Sequence, residues 1–91
     1  MSSSSPNDPH ALALAALAAT LGDERRARRF LDLTGIGIEV LRGRAGEPAL
    51  LAALVGFLEA HEPDLVAVAG AIGVTPAALV EARRELEREM E

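Results

Sequence analysis

Residues 69–86 read AGAIGVTPAALVEARREL, and this stretch decides the fold class. Small and apolar residues run to a glycine at 73, where a helix ends cheaply because Gly reaches the left-handed conformation without a Cβ clash. Thr75 and Pro76 then supply a new start: a hydroxyl that caps free amides, and a ring whose missing N–H has no partner to lose. Beyond them Leu79, Ala82, Leu86 and Met90 recur at helical spacing, with Glu81, Arg84, Glu85 and Arg88 off that stripe. The stretch predicts two helices about a tight glycine turn. Counted from Leu65, Ala69, Gly73, Val74, Leu79 and Ala82 occupy the slots of a helix-turn-helix pair.

The same punctuation recurs upstream. Pro9, Pro48 and Pro63 each precede an apolar-periodic run, with Asp8, Glu47 and Glu62 before them, and Gly22, Gly35 and Gly43 stand where helices should stop. The expected helices are 9–20, 23–34, 38–43, 48–60, 63–72 and 76–90. No stretch alternates with period two and β-branched enrichment, so no sheet is expected. The fold class is all-α: a compact bundle of five to six short helices, with a helix-turn-helix-like C-terminal pair. Residues 1–7, with four consecutive serines, are expected to be a disordered tail, and 8–91 a single helical domain. Core faces are Ala27, Phe30, Leu31 and Thr34 in the second helix, and Leu50, Leu51, Leu54, Phe57 and Leu58 in the fourth. Residues 30–41 (FLDLTGIGIEVL) also align with 68–79 (VAGAIGVTPAAL) at an offset of 38, Gly35 over Gly73. Both copies read helix, glycine turn, apolar anchor, helix.

Composition limits the chemistry. The 91 residues carry 14 acidic and 9 basic side chains, net −5, and every basic residue is Arg. Cys, Lys, Trp and Tyr are absent, which removes a disulfide framework, a thiolate nucleophile and a zinc knuckle. His10 and His61 are the two imidazoles; His61 lies beside Glu59, Glu62 and Asp64 but straddles the Pro63 break. Gly35-Ile36-Gly37 follows no strand and has Val at position 40, so it reads as a helix-ending turn and not a phosphate loop. The expectation is no catalytic residue, no cofactor and no metal. The apolar run Ala11 to Leu21 is 11 residues, short of the roughly 20 that cross a bilayer, and the opening MSSSSPNDPH lacks a positive n-region. The expected setting is cytoplasmic, with no membrane partner.

Several stretches together, ALALAAL at 11–17, RRFLDLTGI at 28–36, LR at 41–42, FL at 57–58 and AGAIGVTPAALVEARREL at 69–86, resemble the bacterial domain-of-unknown-function family 3572. The likeness runs over nearly the whole chain after residue 8. It implies an all-helical bacterial protein and carries over no catalytic residue.

Two surfaces remain as candidates. Segments 50–58 and 65–72 are apolar on more than one side, and such a helix is either central or covered by a partner. They give a candidate interaction surface of Leu51, Val55, Leu58 and Val66, rimmed by Arg25 to Arg29, for a protein partner or a second copy. Alternatively they are the central helices of a monomer. The second candidate is an anion-binding patch of Arg25, Arg26, Arg28, Arg29, Arg42 and Arg44. Residues 25–44 sum to +4, whereas 45–64 sum to −4. An Arg28–Asp32 pair one turn apart would partly neutralise it. Nucleic-acid binding through these arginines is the alternative function. It is disfavoured because residues 77–91, holding the would-be reading helix, sum to −2, and DNA affinity comes mainly from neutralising phosphates. The leading reading is a small non-catalytic interaction module.

Overall fold

The computed structural model describes residues 8–91; the expected tail at 1–7 lies outside them. Six helices follow in order: α1 (Pro9–Leu21), α2 (Glu24–Thr34), α3 (Ile38–Arg44), α4 (Pro48–Glu59), α5 (Glu62–Ile72) and α6 (Pro76–Glu89). No strand occurs among the described residues. Each boundary lies within one residue of the sequence expectation, and side-chain caps fix the starts of α1, α2 and α6. The Asp8 carboxylate accepts from the Ala11 amide at 3.2 Å, and the Thr75 hydroxyl from the Ala78 amide at 3.1 Å. Asp23 caps α2 in the same way through Arg26 N–H at 3.0 Å. Gly43 departs from expectation: α3 runs through it to Arg44.

Gly35 (φ 73°) and Gly73 (φ 79°) are the only described residues at positive φ. Each ends an 11-residue helix, and in each case the next helix begins three residues later. The offset of 38 therefore extends well beyond the aligned stretch. Helix ends at 21 and 59, starts at 24 and 62, ends at 34 and 72, and starts at 38 and 76 all differ by 38. Burial repeats with the same offset. Leu12, Ala13, Ala16, Leu17, Thr20, Phe30 and Leu41 are the buried residues of the first half. Their counterparts Leu50, Leu51, Leu54, Val55, Leu58, Val68 and Leu79 are all buried too. The chain is one three-helix plan laid down twice.

The copies differ at their third helix. α6 has 14 residues and carries Ala82 and Leu86 into the core, packing along α4 and α1. α3 has 7 residues and buries only Leu41. α4 sits at the centre, against α1, α5 and α6, and a single apolar cluster joins all six helices. Phe30 of α2 meets Phe57 of α4 edge to face, ring centroids 5.3 Å apart, a geometry that aligns the positive ring edge with the negative face. Met90, expected on the buried stripe of the last helix, is exposed because α6 ends at Glu89. α5 and α6 are bent by 96° about their glycine turn.

Candidate functional site

The apolar surface expected on α4 is not at the surface. Leu51, Val55 and Leu58 are fully buried inside the chain. The physical reason is the central position of α4: neighbouring helices cover its apolar sides, as expected for a helix apolar all round. Of the four named residues only Val66, on α5, faces outward, at 50% exposure.

Large exposed apolar residues concentrate instead where α2 turns into α3. Leu33 is 72% exposed, Val40 50% and Ile38 40%. They straddle the Gly35-Ile36-Gly37 turn within eight residues of chain. On α3, Ile38 and Val40 flank buried Leu41 on either side, and a helix of two turns has no length to fold them under a neighbour. Their counterparts in the second copy are Ala71, Pro76 and Ala78. The plan is thus satisfied by small or ring residues at these three places, where the first copy carries bulky, partly exposed side chains. Leu33 also borders a shallow groove of about 420 Å³ between α2 and the end of α4, with Phe57, Ala60 and the Arg29 stem around it. The signal that finds these residues in the sequence is the comparison of the two copies, bulky apolar against Ala or Pro.

The six arginines divide into two sets. Arg26 Nε donates to Asp64 Oδ1 and Arg29 Nη1 to Asp64 Oδ2, both at 2.8 Å. Arg26 also meets Asp23 at 3.2 Å, and Arg44 pairs with Glu47 at 2.9 Å. Arg29 further lies over the Phe57 ring, 5.2 Å from its centroid, a cation–π contact. Arg26, Arg29 and Arg44 are therefore held within the fold. Arg25, Arg28 and Arg42 are exposed and form no ion pair with any described residue. The Arg28–Asp32 pair expected from spacing does not form. Arg25 and Arg28 line a shallow pocket on α2 with Glu24, Arg29 and Asp32.

Asp64, one of the four acids behind the −4 sum of residues 45–64, has a structural place that spacing along the chain does not reveal. It is buried in the first turn of α5. Burial alone would raise its carboxyl, but the hydrogen bonds from Arg26 and then Arg29 outweigh that effect and hold it below the usual carboxylate range. Arg26 is raised in turn, chiefly by the same bond. The group is a clamp between α2 and α5, with each Asp64 oxygen accepting from one guanidinium. His61, next to it in sequence, stands at the N-cap of α5 without a side-chain bond to that helix.

The arginines of α6 are likewise occupied. Arg83 bridges Glu59 and Glu87, Arg84 reaches Glu81 at 3.6 Å, and Arg88 pairs with Glu85 and Glu81. No single helix among the described residues is long and apolar enough to cross a membrane.

These features define a class: a twice-repeated three-helix globule tied by an arginine–aspartate clamp, with a basic and apolar corner at α2–α3. The chain belongs to the family described as "Protein of unknown function (DUF3572)", which it matches over residues 6–89. No curated protein and no solved structure matches it.

Proposed function

We propose that the chain is a small, non-catalytic protein-interaction module of the bacterial cytoplasm, and that it works through the α2–α3 corner. The observation that carries this reading is the pairing of Leu33 with Ala71 and Val40 with Ala78 across the two copies. One copy of the plan exposes large apolar side chains where the other keeps small ones. Exposed apolar surface that packing does not require is the usual mark of a binding face. The site's chemistry supports binding over turnover: the one deeply placed carboxylate, Asp64, is held by two guanidinium groups.

The test is affinity purification from the native host, with the wild-type chain compared against a Leu33→Ser/Val40→Ser variant. A protein retained by the first and lost by the second supports the module. Retention of the same proteins by both removes the corner from the account. Light scattering across a hundredfold dilution decides whether a second copy is among the partners.

A second reading, nucleic-acid binding, is favoured by unpaired Arg25, Arg28 and Arg42. It draws on three cations instead of six, since Arg26, Arg29 and Arg44 are held in ion pairs. Both aromatic rings are buried, so neither offers a face for a base to stack on. Binding to mixed-sequence oligonucleotides at two salt concentrations tests it, with a steep salt slope that falls on Arg28→Ala as the supporting result.

A further inference from the structure

We infer that α2 and α3 form a strap that opens from the body of the protein as one unit, with the Asp64 clamp as its latch, while α1, α4, α5 and α6 stay packed. Opening uncovers the Phe57 ring on α4 and frees the α2–α3 corner from the body. It does not depend on what the corner binds.

The distribution of burial carries the inference. Between Leu21 and Ala49 only Phe30 and Leu41 are buried. By contrast α1, α4, α5 and α6 each bury three or more residues, and every pair among these four helices packs together. α2 lies alongside α1 alone, and α3 lies alongside no helix. Long side chains span the remaining gap. Phe30 reaches Phe57 edge to face, and Arg26 and Arg29 reach Asp64. Among the described residues, those two arginine bonds are the only side-chain hydrogen bonds that join residues 23–47 to the rest of the chain.

The second copy shows the same segment built in. There α5 buries Leu65, Val68 and Ala69, and α6 buries Leu79, Ala82 and Leu86. The strap keeps the plan but has Phe30 and Leu41 alone, and their full burial holds it closed in the ground state. Arg26, Arg29 and Phe30 share one face of α2 at i, i+3 and i+4. Detaching that face therefore releases the latch and the aromatic anchor together, and leaves α3 with Leu41 only. Local opening follows buried apolar contact, so a segment with two anchors and one clamp opens before a body in which each helix packs on the other three.

Native-state amide hydrogen exchange of the full chain, read residue by residue by NMR at low urea, tests the strap. In the wild type, amides of α2 and α3 should share one opening equilibrium, at least about tenfold more populated than the one that exposes α4. Asp64→Asn should populate the strap opening about tenfold further, as the latch weakens. Gly56→Ala acts inside α4, which stays folded when the strap opens. It should slow exchange in α4 several-fold and leave α2 and α3 unchanged. Equal opening of α2, α3 and α4 in the wild type would overturn the strap, whatever the variants do. Different equilibria for α2 and α3 would replace the single unit with independent fraying. Strap amides unmoved by Asp64→Asn would remove Asp64 as the latch. Slowing of α2 and α3 along with α4 in Gly56→Ala would show that they open only with the whole fold.

Discussion

Arg26 and Asp64 hold the same place, third residue of an 11-residue helix, in the two copies of the three-helix plan, and they bond to each other at 2.8 Å. Equivalent positions of a repeat meet when the copies are arranged about a common centre. Here one copy carries the cation and the other the anion, so the contact stitches the halves together. Arg29 adds a second bond to the same carboxylate, one turn along α2. Asp64 is buried while both arginines keep part of their surface in water.

Replacing Asp64 with Ala should therefore destabilise the fold by about 1.5–3 kcal/mol at neutral pH, the range for hydrogen bonds to charged groups. The arginines left behind can turn toward solvent, which keeps the loss below that of a fully buried pair. Urea unfolding at pH 7 measures it.

The pH dependence follows from the direction of the Asp64 shift. Its carboxyl is held below 3.8 in the fold, so its contribution is complete above the unfolded value and is lost as pH falls through the folded one. Stability should drop below about pH 4 in the wild type and less steeply in Asp64→Asn. Asp23, lowered chiefly by the Arg26 backbone amide, acts with the same sign and leaves a residual slope. Thermal melts between pH 2 and pH 7 read both.

The two left-handed glycines should respond alike. A Cβ at Gly35 or Gly73 would meet no atom within 4 Å, so Gly→Ala at either has only the backbone strain to bear, about 1–2 kcal/mol. Gly56, inside α4 and equally open, has ordinary helical φ. Gly56→Ala should stabilise by about 0.5–1 kcal/mol. Unequal effects at 35 and 73 would contradict the matched turns.

Much of this fold was legible because its punctuation is chemical. Pro9, Pro48 and Pro76, Asp8 and Thr75, and Gly35 and Gly73 mark boundaries through local backbone preferences, and these survive packing. The candidate surface was less legible, for a different reason. Leu51, Val55 and Leu58 differ from exposed leucines only in which helix lies over them, and periodicity on α4 does not say that it is central. Arg26, Arg29 and Asp64 look like solvated charges because their partners are 35 to 38 residues away. The offset between the copies held the missing information: Leu33 against Ala71 and Arg26 against Asp64 both stand out once the copies are superposed.

Phe30 is the largest fully buried side chain, and it faces Phe57 across the α2–α4 contact. Phe30→Ala should cost about 3–5 kcal/mol, the transfer and cavity terms together. Leu33→Ser, three residues on, should change stability by no more than about 0.5 kcal/mol, as for an exposed residue without partners. Parallel urea unfolding of the two variants checks this contrast.

The proposed role of the α2–α3 corner as the place where this protein meets a partner can be tested directly. A photoreactive amino acid placed at Val40, and separately at Ala18 on the exposed side of α1, tests it in cells of the native host. The expected result is a discrete crosslinked protein from position 40 that is absent from position 18 and lost when Leu33→Ser is added. Crosslinks of equal yield from both positions, or none from position 40, would contradict it.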